Sequence, residues 1–271
     1  MAKKEDKIRQ IISFGAEIVG SSLSEAALGY LLGGPEGALV GLANGALKRG
    51  IKKTTQVIIA DVASRFLSQR EKLRIGASVT YSINKVDFYL SQGLAPREDF
   101  FGSVPRKRAK AEELLEGILI DCKQEYEESK IKYISNIFAN VIFDTEISLS
   151  EANFRLSLAE GMTYRQFCIL SLFLNKERKG IILNNNDYMK GVSSLELRSI
   201  LLEIYDLYNR GLIESYEADK GLAYNLSGIL TINPNKLRLT KHGTRQSQFM
   251  SFEDMSDSEY NDIMNQLTTN Y

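Results

Sequence analysis

Seven carboxylates crowd one stretch of this chain: Glu112, Glu113, Glu116, Asp121, Glu125, Glu127 and Glu128. Carboxylates placed together can bind a divalent cation or exchange protons with a substrate. They have no histidine among them, because the one histidine of the chain is His242. A single imidazole excludes most zinc schemes and any histidine-based triad not centred on itself. There is no Gly-x-x-x-x-Gly-Lys-Ser/Thr phosphate loop, no zinc motif and no nucleophile elbow. The acids therefore read as the solvated face of a helix, and His242 as a surface residue at a helix start. Cys122 and Cys168 sit within apolar helical pattern, which suits buried small hydrophobes better than a disulfide or a metal pair. The expectation is a protein with no cofactor, no bound metal and no enzymatic activity.

Two basic clusters could meet anions. Lys48, Arg49, Lys52 and Lys53 could contact acidic lipid headgroups, as juxtamembrane cations do, or form an ordinary solvated face. Arg106, Lys107, Arg108 and Lys110 could touch phosphates, although the flank of a mobile linker is the better reading. Across the chain, 34 Lys and Arg balance 34 Asp and Glu. A net charge of zero argues against nucleic acid as the main partner and leaves little repulsion between copies, so self-association is expected.

A further pattern is built from the absence of side chains. Gly29, Gly33, Gly37, Gly41 and Gly45 recur at every fourth position. On a helix such residues share a face. Each glycine costs about 1 kcal/mol of helix stability relative to alanine, so the row implies a compensating close approach by another helix. Gly33-Gly34-Pro35 fits a sharp turn, which makes a helical hairpin of about residues 6–32 and 36 into the 60s. Glu36 interrupts the apolar run, and neither arm's uncharged part reaches the roughly 20 residues of a spanning helix. Two readings stand: tight packing in a soluble bundle, or a membrane segment that is buried at rest and exposed on activation.

The remaining elements follow from periodicity. Ile75, Val79, Ile83, Val86 and Leu90 mark a helix over 71–91. Gly93, Pro96 and Pro105 bracket a loop, and a domain boundary is placed there. A long helix is expected over 111–143, either bridging two layers or breaking at Glu127–Glu128. Three capping boxes, Ser148/Glu151, Thr163/Gln166 and Ser193/Glu196, open later helices. Leu197, Ile200, Leu201, Ile204 and Leu207 form the apolar face of the last of these, which stops at Gly211. Strands are expected over 212–216 and 237–239 around a variable turn. The predicted fold is mainly α. A glycine-rich helical domain over 1–95 and a linker over 96–110 precede a helical domain with a winged-helix-like module over 111–271.

Recognition helix and wing carry Glu196, Glu203, Asp206, Glu214, Glu217 and Asp219 against few cations, which favours a protein partner through residues 163–250 over DNA. The acidic tail, Glu253, Asp254, Asp257, Glu259 and Asp262, is expected as a solvated helix or as a cover for a basic surface such as 48–53. The start of the chain lacks a secretory pattern, so a cytoplasmic protein is expected, with association at the inner membrane on activation.

Several phrases resemble a widespread set of bacterial hypothetical proteins: Lys-Leu-Arg-Ile-Gly-Ala from Lys72, Pro-Arg-Glu-Asp-Phe-Phe from Pro96, Glu-Gly-Ile-Leu from Glu116, Gln-Glu-Tyr-Glu-Glu-Ser-Lys from Gln124, Phe-Ala-Asn-Val-Ile-Phe-Asp from Phe138 and Thr-Tyr-Arg-Gln from Thr163. From Leu207 on, Arg210-Gly-Leu-Ile and then Leu239-Thr-x-x-Gly are similar in outline to the abortive-infection alpha proteins. The first resemblance implies no activity. The second implies a part in bacterial defence against phage and supplies no catalytic residues.

Overall fold

A computed structural model describes residues 51, 54, 57–58, 61–62, 65, 67–102, 108–183, 194–216, 222–224 and 230–268. The chain is mainly helical and divides into two compact units, Met1–Gly161 and Met162–Tyr271. The described residues of the segment expected as a linker, 96–102 and 108–110, therefore lie inside the first unit.

In the first unit, Ile51, Thr54, Ile58 and Val62 are helical and buried, at the spacing of one helix face. Helix α1, Gln69–Ser91, starts at a capping box missed in the sequence: the Glu71 amide donates to Ser68 Oγ and the Ser68 amide to Glu71 Oε2. Its stripe of Ile75, Val79, Ile83 and Val86 is buried. Helices α2, Lys110–Gln124, and α3, Lys130–Ile142, pack with α1 and with one another, and α4, Leu149–Glu160, lies against both α2 and α3. Buried small residues let α1 and α3 come close: Ser135 Oγ lies 2.8 Å from Ser78 Oγ, and Ser82 Oγ donates to the Ser135 carbonyl at 3.0 Å.

The long helix expected over 111–143 is two helices. Glu125 leaves helical geometry with ψ 121°, and its Oε1 accepts the Glu127 amide at 2.9 Å, so the chain turns there before α3. The described part of the expected linker is tied down. Phe100 is fully buried beneath the Arg97 guanidinium at 4.3 Å, and Arg97 also donates to the carbonyls of Asp144 and Ile147. An aromatic anchor and an arginine that donates to two backbone carbonyls fix this segment to the α3–α4 connection.

The second unit is built on α5, Tyr164–Lys179, which contacts α6, Leu195–Asn209, as well as α7, Lys241–Met250, and α8, Asp257–Thr268. Thr163 and Gln166 form the expected capping box of α5. The cap of α6 is Ser194, one residue later than expected, with its Oγ accepting the Leu197 amide. Strand β1, Ile213–Ser215, pairs antiparallel with β4, Leu237–Leu239, with Ile213 opposite Leu239. Between them along the chain lies a hairpin unmarked by the sequence pattern, β2, Leu222–Tyr224, against β3, Leu230–Ile232. The core of this unit joins Phe167, Leu170, Ile204, Leu237, Met250, Phe252 and Leu267, with the Phe167 and Phe252 rings 5.3 Å apart.

Candidate interaction surface

The Arg210-Gly-Leu-Ile and Leu-Thr-x-x-Gly phrases meet in space. Gly211 has φ +70°, which ends α6 and turns the chain into β1. Thr240 caps α7 by accepting the Gly243 amide at 2.9 Å, donates its hydroxyl to the Gly211 carbonyl at 2.7 Å, and its amide bonds the Leu212 carbonyl at 3.1 Å. Gly243 is there because a Cβ at this position would sit 2.0 Å from the Leu212 oxygen. These contacts clamp the end of α6 to the β1–β4 ladder and so fix the direction of the whole helix.

α6 is then buried along one face by Leu197, Ile200, Ile204 and Leu207. Leu195 and Leu202, two turns apart on another face, remain 82% and 61% exposed. Fully covering such a leucine is worth roughly 1.5–3 kcal/mol. A lone exposed leucine carries no message, but a pair aligned on one presented helix offers an apolar contact line.

Cations around this helix are already engaged. Arg165 pairs with Glu203 at 2.9 Å, Arg210 with Asp206 at 2.7 Å, and Arg238 of β4 with Glu214 of β1 at 2.7 Å. Each would have to abandon a carboxylate to meet a phosphate. The β1–β4 ladder is held from behind by Lys176, which sequence reasoning passed over. Its buried ammonium donates to the carbonyls of Asn235 at 2.6 Å and Leu237 at 3.0 Å. Only its position in the last turn of an apolar helix marked it, as one more surface cation.

Other expected residues find structural roles. Arg108 pairs with Glu116, and Lys110 with Asp99 at 3.0 Å, so these members of the second basic run are committed to acids. Arg97, foremost, and Lys110 hold the Asp99 carboxyl down at about 2. Glu116 is likewise lowered, by Arg108 and Arg65. Of the acidic tail, Glu259 accepts the Tyr164 hydroxyl at 2.6 Å and Asp257 pairs with Lys179, which pins the first turn of α8 to α5. Burial raises Tyr164 far above its ordinary value, and Glu259 adds to this. Cys122 and Cys168 are buried thiols not joined in a disulfide, and burial pushes the Cys122 thiol up to about 12, where it is unreactive. His242 is the second residue of α7. Among the described residues no group of His, Cys, Asp or Glu is placed to hold a metal, and no helix is long and apolar enough to cross a membrane.

The glycine row Gly29, Gly33, Gly37, Gly41, Gly45 and the cluster Lys48, Arg49, Lys52, Lys53 lie outside the described residues. No family model, curated protein or solved structure matches the chain.

Proposed function

We propose that this chain is a non-enzymatic effector or accessory protein of bacterial defence, whose second unit is a winged-helix-like module that binds a protein partner through α6. The observation that carries the binding role is the exposed Leu195–Leu202 line on a helix whose direction is fixed by Thr240 and Gly243. The order helix, strand, hairpin, strand, helix supports the module, and the abortive-infection resemblance of its two clamping phrases supports the setting. The engaged arginines favour protein over duplex DNA. Within this proposal the glycine row serves self-association or a conditional membrane contact beside its basic flank.

Replacing both leucines by aspartate tests the reading. Cells carrying the chain are challenged with phage beside cells carrying the double variant, with circular dichroism to verify that the variant is folded. Protection lost in a folded variant supports the partner surface, and full protection sinks it. The alternative is a soluble winged-helix regulator or scaffold that binds protein or, less favoured, DNA, and salt-dependent binding of duplex DNA by the intact chain would support its DNA form. Dye release from anionic liposomes that disappears on Gly37→Leu and Gly41→Leu would assign the glycine row to the membrane. Loss of self-association in the same variant without any release would assign it to assembly.

A further inference from the structure

Tyr260, Ile263 and Leu267 stand three and then four residues apart, so they form one stripe of α8, and all three are buried. Ser258, Asn261, Asp262 and Asn265 of the same helix are exposed. α8 lies on α5 and α6. Its first turn is held from both ends of α5. The hydroxyl of Tyr164, the first residue of α5, donates to Glu259 at 2.6 Å. The ammonium of Lys179, the last residue, donates to Asp257 and, at 3.2 Å, to the Tyr260 hydroxyl, which itself donates to Asp257. Farther along, Gln266 accepts the hydroxyl of Ser194, the cap of α6, at 3.4 Å. Apolar anchors at i, i+3 and i+7, with polar contacts toward both ends, are the way a groove takes up an amphipathic helix.

The module beneath closes without α8. α5 touches β4, α7 and the short turn Phe252–Asp254 directly. That turn is fixed to α5: the Phe252 ring packs on Phe167, and its carbonyl accepts the Ser171 hydroxyl at 3.2 Å. Met255 is buried as well, so the chain is anchored just before α8 begins. α8 can therefore leave while α5, α6, α7 and the β1–β4 ladder keep their contacts with one another.

We propose that the α5–α6 groove is a binding site for an amphipathic helix of a partner protein, with α8 as its internal occupant. The helix it takes has an aromatic and two aliphatic residues at the spacing of Tyr260, Ile263 and Leu267, and carboxylates in its first turn. Those carboxylates meet the Tyr164 hydroxyl and the Lys179 ammonium that Glu259 and Asp257 hold in the closed chain. The partner's helix enters only as α8 departs, so α8 gates the site. A second copy of the chain is the poorer donor. Only Ser256 separates buried Met255 from α8, and one residue spans about 3.5 Å at most, too little to carry α8 into another copy's groove. The groove is distinct from the exposed leucine line of α6.

Two measurements on the full chain test this. The first is amide exchange and needs no variant. Amides over 260–268 should exchange about tenfold faster or more than those over 195–209 and 241–250, because α8 opens alone. The second uses a fluorescent peptide of residues 255–268 as the probe. It should bind a chain carrying Asp257→Asn with Glu259→Gln at least about tenfold more tightly than the intact chain, whose own α8 competes at high effective concentration. Tyr260→Ala with Ile263→Ala in the peptide should abolish that binding. Leu195→Asp with Leu202→Asp should leave both readouts unchanged, so failure here is distinct from failure of the α6 surface. Exchange of α8 only together with α6 and α7, no gain in peptide binding by the variant chain, undiminished binding of the substituted peptide, or a dimer formed by exchange of α8 between copies would each overturn the proposal.

Discussion

Helices α3 and α6 are of similar length and both rich in aliphatic residues, yet they are used differently. α3 is buried nearly all round: Ile131, Tyr133, Ile134, Ile137, Phe138, Val141 and Ile142 are all in the core, and even Lys130, Ser135 and Asn136 are covered. α6 is buried on one face and carries Leu195 and Leu202 outside. Where a helix is enclosed, its polar groups must find partners inside the protein, as Lys130 does with Glu125 and Ser135 with Ser78. Where it is presented, its polar groups neutralise one another at the margin and its apolar groups remain for something else. The first helix organises a core, and the second organises a surface.

The largest expected effect breaks the enclosed side. Lys130→Met removes the ammonium and leaves Glu125 buried without its partner, a loss of about 3–5 kcal/mol in unfolding free energy. A denaturant series on the full chain measures it. Restoring most of the loss by adding Glu125→Gln would show that the stranded carboxylate, rather than lost packing, is responsible. A single-variant loss below about 1 kcal/mol would mean that water reaches the pair.

Second comes the clamp of the presented helix. Gly243→Ala puts a methyl group where the Leu212 oxygen already stands, so the backbone must move. The expected loss is about 1–3 kcal/mol, with the transition of the second unit moving to lower denaturant. Thr240→Val keeps the volume and removes only the cap and the bond to Gly211, so its loss should be smaller, about 1 kcal/mol. If Gly243→Ala were neutral, α6 would owe its direction to its apolar face alone. Leu195→Asp with Leu202→Asp should, by contrast, leave stability within about 0.5 kcal/mol, because both side chains are already in water.

These contrasts also mark how far the sequence could be read. The stripe of α6, that of α1 as far as Val86, and the caps at Ser148 and Thr163 stand where periodicity and local chemistry put them, while Leu90 is only half-buried and the Glu151 carboxylate bonds Arg155 rather than completing the Ser148 box. The cap of α6 slipped from Ser193 to Ser194 because two serines in succession offer the same hydroxyl, and only the backbone geometry chooses. The turn at 125–129 was open to two readings. It is decided by Glu125, whose carboxylate bonds the Glu127 amide and Lys130, interactions with no hydrophobic period to announce them. Glu125 and Asp121 read as parts of a solvated face for the same reason. A charge is buried by its tertiary neighbours, here Glu160 of α4, which lies 30 residues beyond Lys130. The β2–β3 hairpin was hidden because its strands have three residues each, too short to show alternation.

The smallest expected effect returns to the first unit, where two acids titrate in opposite senses. Arg97 and then Lys110 hold Asp99 down at about 2, against an ordinary value of 3.8. Its folded form prefers the charge, so its contribution to stability is present above about 4 and is lost as pH falls toward 2. Burial, foremost, with Glu160 and then Glu125, pushes Asp121 up to about 7, so it does the reverse, contributing at low pH and losing that contribution toward 7. The first unit should therefore be most stable in mildly acid solution, with Asp121 acting on the neutral side and Asp99, beside Glu116 and Glu71, on the acid side. The acid shoulder is shallow. Asp99 is 49% exposed, and solvent screens such a pair to less than about 1 kcal/mol. Asp99→Asn should make the acid side shallower, with Glu116 still contributing there, and leave the neutral side intact, whereas Asp121→Asn should flatten the neutral side. Measuring the unfolding midpoint from pH 2 to 8 in both variants separates a paired carboxylate at the surface from a half-buried one on α2. A common response in both would show that the pH dependence belongs to net charge and to neither residue.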